Sequence, residues 1–305
     1  MASPLHWTIS DTNGRVRNHT GGTTLTSTAL VTGASTGIGE AIALDLARRG
    51  WRVFATVRKQ QDADRLNSNG LANLHVVFMD VTDKESIARA YEEVSAQLGD
   101  DGLDALINNA GIAVFGPLAY LPEERIRQQL DVNLFGQLTV TRTFLPLLAR
   151  VKGRIVFMSS LAGRTVSPFF GIYSASKHAL EAAAQALRVE LRPMGIKVII
   201  VEPGSVKTPI WDKNGAGSED AFNDLPQEAL DIYKPSLRRA SRIMRNLAES
   251  GIPAQKVADV VYRALTTRRP RDRYLIGRDA HMLVMVWRLP FRIRDRIMAR
   301  MFKLS

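Results

Sequence analysis

Cysteine is missing from the 305-residue chain, which excludes a disulfide scaffold, a thiolate nucleophile and a cysteine zinc site. The absence suits a reducing compartment, and a cytoplasmic setting is expected. No apolar run approaches the ~20 residues that a transmembrane helix needs. The first residues lack a charged stretch leading into an apolar one, so no signal peptide is expected. With five histidines and no His/Asp/Glu cluster at ligand spacing, no metal is expected either. Internal repeats are also lacking.

Net positive charge is lacking over most of the chain. The net charge is +11, yet residues 1–235 carry 24 Lys+Arg against 25 Asp+Glu, and residues 236–305 carry 17 against 5. A nucleic-acid binder spreads basic residues over a face of its fold. A neutral body with a basic last quarter therefore predicts no nucleic-acid partner. With 45% apolar and 23% charged residues, the chain is ordinary for a protein that buries a full core.

What is present alternates strand with helix. Apolar, β-branched-rich strands are predicted at Thr28–Thr32, Arg52–Val57, Leu74–Phe78, Ala105–Ile107, Arg154–Met158 and Val198–Val201. Between them lie amphipathic helical segments at Gly39–Arg49, Lys84–Leu98, Pro122–Ala149 and Ser174–Arg192. This order predicts one α/β doubly wound, Rossmann-like domain with a parallel sheet covered on both faces. Residues 1–25 are polar and read as a loosely ordered extension, and 26–280 form the domain. Within it, 211–251 break the rhythm with Gly215, Gly217, Pro226 and Pro235. Following the sixth strand, on the side where open α/β sheets bind ligands, they read as a substrate lid.

Several motifs carry chemistry. Gly33, Ser35, Thr36, Gly37, Ile38 and Gly39 follow the first strand and open the first helix. Glycines there let backbone N–H groups approach a pyrophosphate. Arg58 and Lys59 end the second strand, where NAD-specific sites place a carboxylate. Two cations suit a 2′-phosphate, so NADP(H) is expected in preference to NAD(H). Asp80 and Val81 follow the third strand at an adenine edge. Asn109, Ala110 and Gly111 end the fourth. Pro203, Gly204, Val206 and Thr208 follow the sixth and can grip the nicotinamide side. Tyr173 and Lys177 stand four residues apart, so one helical turn sets an ammonium beside a phenol. A neighbouring cation favours the phenolate of a group that is otherwise a poor acid or base at neutral pH. Ser160 lies thirteen residues before that tyrosine, and Asn133 interrupts a helix in which asparagine is a mediocre former.

The order and spacing of Gly33/Gly37/Gly39, Asn108–Gly111, Asn133, Ser160, Tyr173/Lys177 and Pro203-Gly204 resemble the short-chain dehydrogenase/reductase family over roughly residues 27–280. The resemblance implies a seven-stranded sheet of order 3-2-1-4-5-6-7, with the last strand near Tyr274–Ile276. It also implies a catalytic tetrad of Asn133, Ser160, Tyr173 and Lys177. Tyr173 and Lys177 would also touch the cofactor, Lys177 would lower the tyrosine pKa, and Asn133 would support a water chain. Ser160 rather than Ser159 matches the family spacing, with Ser159 as a second hydroxyl. Ala55–Arg58 and Val206–Trp211 look similar to the branch containing 17β-hydroxysteroid and retinol dehydrogenases. That branch implies bulky apolar alcohols or ketones. The 25-residue leader and the polar, basic lid depart from it. A 3-oxoacyl thioester reductase and a non-catalytic NADP(H)-sensing protein are the alternatives. Family members are commonly homodimers or homotetramers, which would use Pro122–Ala149 and Ser174–Arg192.

Residues 281–305 form a basic tail in which Phe291, Ile293, Ile297, Met298, Met301 and Phe302 recur at loosely helical spacing among Arg292, Arg294, Arg296 and Arg300. Such a segment lies on an anionic membrane through 288–305, or packs on its own domain or a neighbouring subunit.

Overall fold

A computed structural model describes residues 26–208, 222–223 and 225–304. The expected extension 1–25 and the first part of the expected lid, with Pro209–Trp211, lie outside the described residues.

Seven parallel strands form the main sheet. They are β1 (Thr28–Val31), β2 (Arg52–Val57), β3 (Leu74–Phe78), β4 (Ala105–Asn108), β5 (Arg154–Met158), β6 (Lys197–Pro203) and, after two short strands, β9 (Arg273–Ile276). Their order is β3-β2-β1-β4-β5-β6-β9, the expected doubly wound arrangement. The two short strands, β7 (Val206–Lys207) and β8 (Ile252–Pro253), pair with each other apart from the sheet. Strands β1, β4 and β5 are buried along their whole length, because a parallel sheet under helices on both faces leaves no polar side.

Successive side chains point to opposite faces. Ala29 and Val31 meet α1 (Gly37–Arg48) and α8 (Ala254–Thr266) through Ile42, Leu46, Val257, Val261 and Leu265. Leu30, Leu106 and Phe157 meet α3 (Lys84–Leu98), α5 (Gln137–Val151) and α6 (Gly171–Glu190) through Ile87, Val94, Phe144, Leu147 and Leu180. Each fully buried Leu or Phe stabilises by roughly 1.5–3 kcal/mol relative to exposure.

Three elements differ from the sequence expectation. Helix α2 (Gln60–Asn67) had no apolar signature, since only Ala63 and Leu66 are buried. The single helix expected over Pro122–Ala149 is instead α4 (Glu123–Leu130), a π-helical turn (Asp131–Gly136) and α5. Gly136 explains part of this, because a Cβ there would press on the carbonyls of Val81 and Asp131. The helical pieces expected after Pro226 are one 24-residue helix, α7 (Gln227–Ser250), with Pro235 inside it. Helices α9 (Arg278–Val286) and α10 (Phe291–Phe302) follow β9. With α7 they enclose a third apolar cluster that includes Tyr173.

Candidate active site

The glycine turn is pressed onto the end of β4. Gly33 and Gly37 have φ of +64° and +65°, a conformation glycine adopts at little cost. A Cβ on Gly33 would lie 2.8 Å from Ala110 Cα, and one on Gly39 would overlap the Gly33 carbonyl and the Asn109 amide. Thr32 Oγ1 accepts from the N–H groups of Asn109 and Ala110, both at 2.9 Å. Asn109 Nδ2 in turn donates to the carbonyls of Thr32 (2.9 Å) and Gly33 (3.1 Å). The Asn109 side chain therefore braces the turn. The result is a bare backbone cradle at the start of α1, the shape and polarity that a pyrophosphate fits.

At the end of β2 both cations stand open beside this cradle. The Arg58 side chain is 65% exposed with its Nη1 3.5 Å from Asp80 Oδ2, and exposed Lys59 occupies the position just before α2. Burial raises the Asp80 carboxyl pKa. Bonds from the Thr82 amide (2.9 Å) and hydroxyl (2.7 Å), with Arg58 alongside, outweigh it and hold that carboxyl below its ordinary value. Arg65, on the helix that lacked a sequence signature, reaches Glu40 and the Ser35 carbonyl and so ties α2 to the glycine turn.

Beyond β4, three amides laced at four-residue spacing hold the segment Ala110–Val114. Gln129 binds the Val114 N–H (2.7 Å) and the Ile112 carbonyl (2.8 Å), and Gln137 binds the Ala110 carbonyl (2.8 Å). Between them Asn133 accepts from the Ile112 N–H (2.9 Å), and it donates to the Ile112 carbonyl (3.0 Å) and to Ser176 Oγ (3.2 Å). Asn133 is fully buried in the π turn, a helical irregularity frequent at functional sites. Gln129 and Gln137 escaped the sequence reading, although their i−4 and i+4 placement around Asn133 was a usable signal.

Tyr173 and Lys177 lie on one face of α6, both buried. Lys177 Nζ donates to the Met158 carbonyl at the end of β5 (2.8 Å) and sits 5.9 Å from the Tyr173 ring centroid. Ser160 follows β5, caps a 3-10 turn by accepting from the Ala162 N–H (3.1 Å), and hydrogen-bonds Tyr173. Burial dominates the electrostatics. It pushes the Tyr173 phenol above its ordinary value, only partly offset by Ser160, whereas the sequence suggested a phenol lowered by the lysine. Lys177 falls to about 8, again through burial, with Glu181 opposing the fall.

Ser159 is not a second hydroxyl of this site. Its Oγ donates to Glu181 Oε1 (2.7 Å), away from Tyr173 and into a buried charge network. Arg273 pairs with Glu181 (2.6 Å) and with Glu202, and Arg164 lies 3.5 Å from Glu202. Burial first, and Glu181 next, raise the Glu202 carboxyl. Behind Ser160, this network joins α6, β6 and β9 to the turn after β5.

The remaining residues close the site. Pro203 ends β6, and the Gly204 N–H donates to the Ile276 carbonyl (2.7 Å). Asp279, unforeseen in the sequence, accepts from the Ser205 N–H (2.7 Å) and would collide with a Cβ on Gly204. Val206 is buried in β7, and Thr208 is half-buried. Around Tyr173 stand Phe115, Phe169, Phe170, Phe222 and Phe302. Phe169 holds φ of +68°, a strained conformation for a bulky side chain, while its ring stacks edge-on to Phe302 and Tyr233. An apolar chamber thus surrounds a phenol, with a serine hydroxyl bonded to it and an ammonium one helical turn away.

A family model described as short chain dehydrogenase matches residues 27–219. An NADPH-dependent 3-dehydrocapnine reductase of Ornithobacterium rhinotracheale is 35% identical over 275 residues, covering 88% of this chain and 95% of that protein. A 17-beta-hydroxysteroid dehydrogenase type 6 of Bos taurus is 37% identical over 277 residues, covering 88% and 87%. Among solved structures, a short-chain dehydrogenase from Streptomyces avermitilis superposes with a TM-score of 0.73 at 29% identity, covering 92% and 96%.

Proposed function

The chain belongs to the short-chain dehydrogenase/reductase family and is an oxidoreductase; on that premise we propose that it interconverts a secondary alcohol and a ketone with NADP(H), on a bulky apolar substrate. The observation that carries the reading is Tyr173 buried in an aromatic chamber with Ser160 bonded to it and Lys177 one turn along α6. The cradle of Gly33, Gly37 and Gly39, with Ser35, Thr36 and Ile38 around it, would hold the pyrophosphate. Arg58 and Lys59 would meet the 2′-phosphate, Asp80 and Val81 would flank the adenine, and Ala110, Gly111, Pro203, Gly204, Val206 and Thr208 would line the nicotinamide half. Asn109 contributes by fixing the turn. When bound, NADP(H) supplies or accepts the hydride.

The protein's own groups handle the proton. Ser160 orients the substrate oxygen and stabilises its developing negative charge. Tyr173, its proton held by burial, donates to that oxygen in reduction and takes the proton back in oxidation. Lys177 offers the compensating positive charge. Asn133 keeps the Ile112 segment and the Ser176 hydroxyl in register behind the lysine. The relatives support the cofactor and substrate class, one being an NADPH-dependent reductase and another a steroid dehydrogenase by name. A homodimer or homotetramer through α4, α5 and α6 suits the exposed Phe135 and Val189.

A second reading, reduction of a 3-oxoacyl thioester, has one observation in its favour. Lys234, Arg238, Arg239, Arg242 and Lys303, with Asp231 as the acidic member, line a cleft of about 560 Å³ along α7, and this basic excess suits a phosphate-bearing carrier. NADPH oxidation over steroid, retinoid, acyl-thioester and small ketone substrates separates the two readings. Tyr173→Phe is expected to lower turnover by roughly 10²–10⁴ while NADPH still binds; unchanged turnover would refute the role of Tyr173. Arg58→Asp is expected to weaken NADPH roughly ten- to a hundredfold and leave NADH little changed. A wild type that already prefers NADH would overturn the cofactor assignment.

A further inference from the structure

Exposed large apolar side chains are concentrated at the C-terminal end of the described chain. Met282, Met285, Leu289, Phe291, Ile293, Ile297, Met301 and Leu304 are all exposed, and Met282, Met285 and Phe291 are each about 70% open. Their spacing is regular. Met282, Met285 and Leu289 follow i, i+3, i+7 along and just past α9. Ile293, Ile297 and Met301 follow i, i+4, i+8 along α10. One residue ahead of that second stripe, and so turned by one helical step, Arg292, Arg296 and Arg300 form an equally regular exposed row. Arg278 and Arg288 are exposed beside the first stripe.

The other faces of the same helices are committed inward. Leu283, Trp287, Met298 and Phe302 pack into the cluster around Tyr173, and Arg294 folds its guanidinium over the Trp287 and Phe291 rings at 4.3 Å. The Ser236 hydroxyl and Arg239 Nε clamp the end of α10 to α7 through the carbonyls of Lys303 (2.7 Å) and Met301 (2.5 Å). The tail is thus a fixed part of the fold: on α9 the bare apolar stripe lies opposite the packed face, and on α10 it lies beside the packed face, with the arginine row opposite.

We propose that α9 and α10 form a face that docks on an anionic lipid bilayer, with the apolar stripes at the acyl boundary and the arginine row among the phosphates. The charge pattern selects this occupant. A twofold contact with a second copy would bring each arginine row toward its own mate, with Asp295 as the acidic side chain on the exposed part of α10. Lipid phosphates instead meet the guanidinium groups at the depth where long basic side chains end when their stems lie along apolar surface. No described helix is long and apolar enough to cross a membrane, so the contact is peripheral. The inference rests on the proposed apolar substrate for its purpose: the two helices that touch lipid with one face wall the Tyr173 chamber with another.

Flotation of the full chain with vesicles of phosphatidylglycerol and phosphatidylcholine in equal parts, and with phosphatidylcholine alone, tests it. Strong binding to the anionic vesicles and weak binding to the neutral ones is expected, with binding reversed by high salt. Replacing Arg292, Arg296 and Arg300 together by serine should lower partitioning roughly a hundredfold. The triple variant Ile293→Ser, Ile297→Ser, Met301→Ser should abolish it with charge unchanged. Retained NADPH turnover of a small water-soluble ketone shows that each variant is folded. Equal, negligible binding to both vesicles overturns the proposal. So does an apolar-stripe variant that turns an oligomer into a monomer in the absence of lipid, because the face then belongs to a second copy. Flotation does not depend on catalysis: an inactive protein that floats would remove the enzymatic reading and leave this one standing, and an active protein that stays unbound would do the reverse.

Discussion

The apolar clusters that flank the sheet and the one that surrounds Tyr173 are built from different material. Beside the sheet the buried residues are mostly aliphatic and come from consecutive strand–helix units, as Leu30, Ile87, Leu106, Leu147 and Ile155 do. Around Tyr173 the cluster is much richer in aromatic rings and is gathered from distant segments, Phe115, Phe169, Phe222, Met244 and Phe302 among them. Helix α6 belongs to both regions. Leu180 and Ala184 anchor its later turns in the sheet core, and its first turns carry Tyr173 into the chamber. Under the proposed function the difference would assign separate tasks: the aliphatic layers would hold Tyr173 and Lys177 in place, and the cluster around Tyr173 would select what reaches them.

Matched truncations would break or sharpen that division. Phe144 is fully buried, edge-on to Tyr91 at 5.5 Å between α3 and α5. Phe144→Ala is expected to cost about 3–5 kcal/mol in denaturant unfolding and to leave kcat/KM of the folded enzyme nearly unchanged. Phe302→Ala removes a ring of equal size from the chamber, at the end of the last helix, where the surroundings can relax. It is expected to cost about half as much and to depress kcat/KM for bulky ketones far more than for small ones. Equal stability losses with no change in substrate preference would show that the chamber is simply more core.

Lys177 sits where the two regions join, and there its proposed role would oppose stability. Its ammonium is held near 8 by burial, below the ordinary lysine value of 10.5. Between those values the unfolded chain binds more protons than the folded one, so stability rises with pH across that window, and at neutral pH the buried charge is a cost. Lys177→Met removes the cost and leaves the Met158 carbonyl without its donor. A net gain of about 1–2 kcal/mol at pH 7, shrinking as pH rises toward 10, is expected from thermal unfolding, together with loss of turnover. A variant less stable at pH 7 would mean that the bond to Met158 outweighs the burial cost.

The same division explains what could be read from the chain. The strand–helix alternation, the glycine turn and the Tyr173/Lys177 pair are local patterns, set within one turn or one strand end, whereas the sheet order and the place of Ser160 come from the family resemblance; the fold has that order. Missed features depend on contacts distant in sequence. Helix α2 is polar and takes its place from β3 and from Arg65 reaching the glycine turn. Asp279 acts across 74 residues on the Ser205 N–H. Ser159 and Ser160 are neighbours with the same hydroxyl, and only Glu181 and Arg273, brought in by α6 and β9, show that Ser159 turns away. The tail's apolar stripe was visible, but its division into packed and bare faces was not.

Glu181 gives the finest test of how tightly the sheet side controls the chemistry. It stands one helical turn beyond Lys177, 5% exposed, and its negative charge supports the lysine's positive one against burial. The charged groups facing it are Arg273, which it shares with Glu202, and through Glu202 also Arg164. Glu181→Gln keeps an acceptor for the Ser159 hydroxyl and removes the charge, so the Lys177 pKa falls further. The ammonium is then lost at lower pH, and the descending limb of kcat/KM for ketone reduction moves toward acid. Stability should change little, because Arg273 then serves one buried carboxylate instead of two. Glu181→Asp keeps the charge and should restore the wild-type profile. A profile that loses height but does not move would reduce Glu181 to packing behind Ser159, and the proton-transfer site would owe the network its position and nothing of its electrostatics.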